Sequence, residues 1–469
     1  MRSWDAARVA EAAGAALADE SPTVGAWAIA DSDTAPGPVR AVIDSRRIAA
    51  GELFVGLSGE RADGGKHASE ALMGGAWGVL VAPEHEASAA AAAREAQSQA
   101  AVLVHEHPLQ ALQALARAWR RELGAQGAKV VGITGSTGKT STKDILASLL
   151  AARGVEVVAS VENFNTEIGL PLAVLAAPQG TRALVLEMAM RGRGQIAELA
   201  AIAEPDVGVI VNVGPVHLEL LGSLEAIAAA KAELIAGLRP GATVVMPADE
   251  PLLAPYRRDD VATVTFGDGG DVALARASGD GRVLIAAHGE MIELRPSFAQ
   301  AHNLRNLLAA SAAALALGID PAGTLDVRFS ALRGEHVTLS GGVVVINDCY
   351  NANPMSMRAA IDDLAETAPS RRVAVLGDML ELGPQAPRLH REIGLYAAQE
   401  GIDVLITVGA LAAEMRTEFN GESYTTADAA AAAELLQTLL VEGDTVLVKG
   451  SRGVGLERVA EQLVAARVV

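Results

Sequence analysis

One stretch limits what this chain can fold into more than any other: Gly132-Ile133-Thr134-Gly135-Ser136-Thr137-Gly138-Lys139-Thr140-Ser141. The apolar Val130-Val131 ahead of it reads as a strand end. Behind it Ile145, Leu146, Leu149 and Leu150 recur at helical spacing until Gly154 stops the pattern. A strand, a glycine-rich turn and a Lys-Thr pair opening a helix form a cradle for nucleotide phosphates. Backbone N–H groups and the positive helix end point inward, the lysine neutralises β/γ-phosphate charge, and the hydroxyl holds Mg²⁺. The full G-x-x-x-x-G-K-[ST] spacing lacks one glycine, because Ile133 stands at its first position.

A strand feeding such a turn needs neighbours, and the chain supplies them. At 469 residues it has room for two to four domains. Half of it is hydrophobic and only 3% aromatic, so the cores are built from Ala, Val and Leu, as suits helices packed on parallel sheets. The net charge of −19 argues against nucleic acid or an acidic membrane as partner, though local loops can still hold a phosphorylated substrate. Cys349 is the only cysteine, so no internal disulfide is possible. The first residues lack the apolar centre of a signal peptide, and no run approaches the ~20 apolar residues that span a bilayer. A cytoplasmic protein without membrane insertion is expected.

The pattern divides into blocks at 1–106, 107–321 and 322–469. In the first, Val42-Ile43-Asp44-Ser45-Arg46 and Gly51 to Gly64 alternate short strands with polar turns, Glu60 and Arg61 among them. Ser45 and Arg46 at a strand end could grip a sugar, a pyrophosphate or a uracil edge, or form an ordinary capped turn. The alanine-rich run from Ala87 to Ala101 reads as helix. In the second block Ala183 to Leu186 is a buried strand ending on Glu187, and Val207 to Val211 is another, followed by Asn212 and His217. In an open parallel sheet ligands collect at the carboxyl ends of strands, which brings Lys139, Glu187 and His217 to one edge as Mg²⁺ ligands or their partners. The polar loop from Glu162, with Asn165 and Thr166, leads into a helix. Lys231, amid alanines on a helix from Leu224 to Leu238, reads as a solvent-facing residue. Asn303 and Asn306, at the start of a helix Leu307 to Leu317, could read an adenine edge. The third block restarts a strand–helix alternation, which predicts a right-handed, mostly parallel αβα layer. Asn353-Pro354 is a natural N-cap and first-turn pair. Cys349, beside Asp348 but with no base near it in sequence, reads as structural.

Taken together, these stretches resemble the Mur ligase family, ATP-dependent amide-bond ligases of peptidoglycan precursor synthesis, over nearly the whole chain. Tyr350-Asn351-Ala352-Asn353-Pro354-Met355-Ser356, Leu376-Gly377-Asp378-Met379-Leu380-Glu381-Leu382-Gly383 and Val448-Lys449-Gly450-Ser451-Arg452 resemble the branch that adds D-alanyl-D-alanine. The D-N-P-R motif usual in the diaminoacid-adding relative is missing. The resemblance implies an α/β chain of three domains: a small N-terminal α/β domain for a UDP-linked substrate, a central P-loop ATPase-like parallel sheet, and a C-terminal Rossmann-like αβα domain that closes on ATP.

It also implies site roles. Gly135, Ser136, Thr137, Gly138, Lys139, Thr140 and Ser141 would hold the ATP phosphates, Lys139 on the γ-phosphate and Thr140 on Mg²⁺. Glu187 and His217 would serve two Mg²⁺ sites, joined by Lys231 after reaction with CO₂ to a carbamate, an anionic oxygen ligand. Asn303 and Asn306 would bind adenine, Arg333 the γ-phosphate, and Asp348 the ribose or the nucleotide's approach. Ser45 and Arg46 would meet the UDP moiety, Asn165 and Thr166 the muramoyl-peptide side, and Asn351 and Asn353 the substrates near the last domain. The substrates implied are UDP-N-acetylmuramoyl-tripeptide and D-alanyl-D-alanine, and a monomer is expected. The chain departs from the family pattern at Ala189, Ala301 and Leu332, each where a glycine is usual, and at Gly65-Lys66-His67. A sister ligase with another acceptor, a folate-type ligase and a nucleotide-binding subunit without chemistry are the competing expectations.

Overall fold

The structure, a computed structural model, describes residues 1–18, 37–59, 62–96, 99–161 and 163–467. Glu60, Arg61 and Glu162, expected in polar turns, lie outside the described residues, as do residues 97 and 98 of the alanine-rich run.

Three sheets follow one another along the chain. In the first, Ala41–Val42, Leu53–Val55, Gly78–Val81 and Ala101–Val104 run parallel, and Ala16–Leu17 pairs antiparallel with the last of them. The alanine-rich helix stops at Glu95, because Ala101 already opens that strand. Alanine favours helix but cannot hold it against a strand whose side chains Ala101, Val102 and Leu103 fill a core.

The helix Pro108–Ala125 fastens this domain to the next. Ala111, Leu112, Leu115, Ala116, Trp119 and Leu123 form its buried stripe at 3–4-residue spacing. Trp119 meets Trp4 edge-on at 5.2 Å, and its indole N–H donates to the Ala177 carbonyl at 2.9 Å. Truncating so large a buried ring costs about 3–5 kcal/mol.

The central sheet has Lys129–Thr134 in its parallel part, between Ala183–Glu187 and Val207–Ile210, with Thr243–Pro247 and Ala262–Phe266 beyond. Val130 to Thr134 are all buried, as a strand covered on both faces by helices demands. The sheet is not parallel throughout. Val272–Ala277, Val283–Ala287 and Glu290–Pro296 continue it as an antiparallel meander. Gly323–Leu325 then pairs with Glu290–Pro296, so the central domain runs past the boundary expected at 321. Val327 and Phe329 still belong to its core, Phe329 meeting Phe298 edge-on at 5.4 Å.

The last sheet orders Glu335–Thr338, Val344–Asn347, Thr445–Lys449, Arg372–Gly377, Val404–Val408 and Glu422–Thr426. Only the first pairing is antiparallel, and the helices lie to both sides as the alternation predicts. Asn353 caps the helix Pro354–Thr367 through a reciprocal box with Ser356. No helix among the described residues is long and apolar enough to cross a membrane.

Candidate active site

Strand register brings the central groups together. Ile133 pairs with Glu187, and Thr134 with Ile210, so the loop after Thr134, the carboxylate at 187 and Asn212 leave three adjacent strands at one edge. The register also explains the missing glycine. Ile133 is a fully buried strand residue, and the turn begins only after Thr134.

The helix Lys139–Ala152 starts behind Gly138, whose φ of +74° is left-handed, and no side chain caps it. The N–H groups of its first turn therefore face the cleft with the positive end of the helix behind them. Thr140 is buried, and its hydroxyl donates to Glu187 Oε2 at 2.7 Å. Asn165 Nδ2 donates to the other oxygen of Glu187 at 2.9 Å. Arg333, from the linker to the last domain, reaches Thr140 Oγ1 at 3.0 Å, its guanidinium lying 4.1 Å over the Tyr350 ring. Lys139 Nζ donates to the Gly135 carbonyl at 2.9 Å. Burial holds the pKa of Lys139 below the usual lysine value; Glu187 opposes this and Arg333 adds to it.

Lys231, expected to face solvent, is 1% exposed. Burial first, and repulsion from Lys139 second, push its pKa well below that of a free lysine. Burial thus disfavours the charged form of this lysine; the alanines around it gave no sign of its burial, and only the family resemblance singled it out. His217, at φ +52°, gives its Nδ1 to Glu381 of the last domain, which itself has φ +62°. Burial lowers the His217 pKa, while Glu381 raises it. Glu219 N–H donates to the Glu381 carbonyl at 3.2 Å along the same seam.

These groups line one cleft of about 1720 Å³ between the central and last domains. Gly135 to Ser141, Asn165, Thr166, Glu187, His217, Lys231, Asn303, Asn306, Arg333, Asp348, Asn351 and Asn353 all face it. Asn303 and Asn306 are not at a helix cap, since the helix Ala301–Ala316 already includes them and follows Gln300. Their side chains are buried and bonded to each other at 3.3 Å. A Cβ on Gly138 would come within 2.4 Å of Asn306 Oδ1, so the loop glycine and this asparagine are in direct contact. Asp348 Oδ2 accepts from the buried Lys449 ammonium at 2.6 Å. Asn353 spends its Oδ1 on the N–H of Ser356 at 3.0 Å and is a helix cap first.

Ser45 and Arg46 are not among the residues lining this cleft. Ser45 is buried and donates to Glu70 Oε2 at 2.9 Å, and Arg46 folds back onto both oxygens of Asp44. Cys349 is buried with its thiol pushed up to about 12, first by burial and then by Asp348, which leaves it without nucleophilic character.

Asn212, which the sequence reading named after a strand but gave no role, braces the loop. Its Oδ1 accepts the N–H groups of Ser136 and Thr137, each at 3.0 Å, and its Nδ2 donates to Thr137 Oγ1 at 2.9 Å. The amides of Ser136 and Thr137 are thus occupied, and the helix N-terminus is the part of the loop left for an anion. Strand adjacency was the available signal: a polar residue directly after the neighbour of the loop strand.

Comparisons with known proteins place this geometry. Residues 133–314 match the model of the Mur ligase middle domain, and residues 332–452 that of the Mur ligase glutamate ligase domain. A Mycobacterium tuberculosis protein named UDP-N-acetylmuramoyl-tripeptide–D-alanyl-D-alanine ligase is 39% identical over 98% of this chain and 97% of its own. A Bacillus subtilis protein of the same name is 36% identical over 90% and 92%. The crystal structure of MurF from Acinetobacter baumannii superposes with a TM-score of 0.82 at 26% identity, covering 98% of this chain and 99% of its own. That of Thermotoga maritima MurF in complex with ADP does so at 0.77 and 32% identity, covering 90% and 96%. With a phosphate loop, a buried lysine and an inter-domain arginine in one cleft, and with these relatives along its length, the chain belongs to the Mur ligase family.

Proposed function

We propose that this chain uses ATP to join D-alanyl-D-alanine to UDP-N-acetylmuramoyl-tripeptide, a step in peptidoglycan precursor synthesis. The observation that carries the reading is a chain of contacts centred on Thr140. Its hydroxyl meets Glu187 from the sheet edge and Arg333 from the linker, so loop, carboxylate and arginine converge on one spot. That is where the γ-phosphate of a nucleotide seated on the helix N-terminus arrives.

The tripeptide's terminal carboxylate attacks the γ-phosphorus; the bond to the bridging oxygen breaks, leaving ADP and an acyl phosphate. The amine of D-alanyl-D-alanine then attacks the acyl carbon, loses a proton, and phosphate departs as the amide forms. Lys139 and Arg333 offset the charge that spreads over the moving phosphoryl group, and the helix N-terminus holds its neighbours in place. Asn303 and Asn306 bind the adenine side, and Asp348 the ribose. Asn165 and Thr166 face the muramoyl-peptide, with Asn351 and Asn353 nearer the acceptor.

The residues fit Mg²⁺. Thr140 Oγ1 and the Glu187 carboxylate are the hard oxygen donors it takes. Among the described residues no three His, Cys, Asp or Glu side chains form a metal cluster, which suits an ion completed by nucleotide phosphate and water. Thr140 and Glu187 would hold one ion, and His217 with a carbamylated Lys231 a second; bound there, the ions would neutralise phosphate charge. A depressed lysine pKa favours the neutral amine, the form that would react with CO₂. Soluble nucleotide substrates suit a monomer working in the cytoplasm, and Ser45 and Arg46 would contact the UDP end.

The test is phosphate release from ATP and Mg²⁺ with UDP-N-acetylmuramoyl-tripeptide, comparing D-alanyl-D-alanine with single amino acids. Release only with the dipeptide is expected, and Lys139→Ala should abolish it. Release with a single amino acid instead would assign a sister reaction, and unimpaired turnover in Lys139→Ala would reject the phosphate-loop assignment.

A further inference from the structure

The linker that delivers Arg333 is held by a group that no step of the reaction uses. Phe329 is the last linker residue packed in the central core. Immediately after it, Ser330 N–H donates to Asp144 Oδ2 at 2.9 Å and its hydroxyl to the same oxygen at 3.0 Å. Asp144 is fixed in turn by Lys143, whose ammonium lies 2.8 Å from Asp144 Oδ1 and donates to the Ser160 carbonyl at 2.8 Å. Both side chains are nearly buried, at 4% and 10% exposure, so the carboxylate has little freedom to swing away.

Asp144 lies four residues after Thr140 on the phosphate-loop helix, which puts both on one face a turn apart. The linker matches that spacing: Ser330 docks on Asp144, and Arg333, three residues on, docks on Thr140. Between the two docks Leu332 takes φ +61°, turning the chain back towards the helix. Its carbonyl accepts the N–H of Tyr350, whose ring carries the Arg333 guanidinium.

We propose that Asp144 is a positioning residue for Arg333: by pinning Ser330 to the phosphate-loop helix it fixes where the guanidinium meets the γ-phosphate. This rests on the reading of Arg333 given above. Asp144 is not among the residues lining the cleft; it acts through three residues of linker.

The test is steady-state ADP formation by the full-length chain with ATP, the UDP-linked tripeptide and the dipeptide, for Asp144→Ala, Arg333→Ala and the double variant. Asp144→Ala is expected to lower kcat roughly 10- to 100-fold, the cost of a small misplacement. In the Arg333→Ala background it should change kcat by no more than a factor of about two. Asp144→Asn, which keeps an acceptor for the Ser330 N–H, should restore part of the loss. Equal losses from Asp144→Ala with and without Arg333, or a wild-type kcat in Asp144→Ala, would overturn the proposal. If Asp144→Ala does not fold, Ser330→Pro, which removes both donors to Asp144 and leaves the Lys143–Asp144 pair intact, takes its place, and a wild-type kcat there overturns it equally. A fully active Arg333→Ala in an active wild-type background would remove the arginine's role and this inference with it. A wild type inactive with every acceptor would reject the reaction itself.

Discussion

Two lysines are buried on opposite walls of the cleft, and their surroundings treat them differently. Lys449, at the end of the strand Thr445–Lys449 in the last domain, gives its ammonium to Asp348 Oδ2 at 2.6 Å and to the Asn351 carbonyl at 3.1 Å. Lys231, on the central domain's helix Leu224–Gly237, has a second cation as its main charged neighbour. A buried charge with oxygen partners is structure, since its desolvation is offset where it stands. A buried amine facing another cation is kept at a cost to the fold, which points to use. On the proposed function, the central wall is the reactive one, and the last domain's wall, with its paired lysine, is the rigid one that meets it.

The sharpest way to break this contrast is to remove each amine in turn. Lys231→Met should cut turnover about 10²- to 10³-fold, the scale for losing one charged partner of a phosphoryl transition state. Its melting temperature should hold or rise, and Lys231→Ala should regain some activity with added short carboxylic acids. Lys449→Met should do the reverse in thermal denaturation, losing about 2–3 kcal/mol by leaving charged-group hydrogen bonds unmade. A destabilised Lys231→Met beside an intact Lys449→Met would dissolve the distinction.

The rigid wall has its own exception. Asp363, 8% exposed, has an Oδ1 without a hydrogen-bond partner among the described residues. Its carboxyl is pushed up to about 6, by burial first and then by Glu366 and Asp348. The folded state then binds the proton more tightly than the unfolded chain, so stability falls as pH rises from about 4 to about 6 and the loss is complete above that. Asp363→Asn should be more stable than the parent at pH 7, on the order of 1–3 kcal/mol, with the difference vanishing below about pH 4. Chemical denaturation at both pH values measures it; a pH-independent difference would return Asp363 to the satisfied class.

On the reactive wall, Asn212→Ala frees the Thr137 amide, while the Ser136 N–H keeps its bond to the carbonyl of residue 212, and should raise KM for ATP several-fold, about 1 kcal/mol for the bond lost. A KM left unchanged would mean that the loop holds its shape without that splint. The smallest effect belongs to the linker. Leu332→Gly relieves a left-handed leucine worth about 1–2 kcal/mol but loosens the unfolded chain, so stability should change by less than about 1 kcal/mol.

The phosphate loop and the strand end at Glu187 were legible because their signals are local: a buried apolar run, then polar residues. The edge strands were not. Glu335–Thr338 and Glu422–Thr426, the two edges of the last sheet, are largely solvent-facing, so no buried apolar alternation marks them as strands. The burial of Lys231 was not legible from its surroundings, because alanines look alike whether a helix is buried or exposed; only the family resemblance marked the residue. The Asp144–Ser330 dock joins residues 186 apart, a distance over which spacing carries no signal. Glycine absent at 332 was legible as a departure, and the left-handed backbone there shows what the departure costs.

The contact between Gly138 and Asn306 has a consequence for how a nucleotide is measured. The loop proposed to take phosphate and the helix proposed to take the base touch with no room for even a methyl group between them. They form a single gauge of fixed span, and neither end can shift to suit a guest that is too long or too short. A bare triphosphate, or a nucleotide with a stretched linkage between sugar and phosphate, would reach one jaw of this gauge and miss the other.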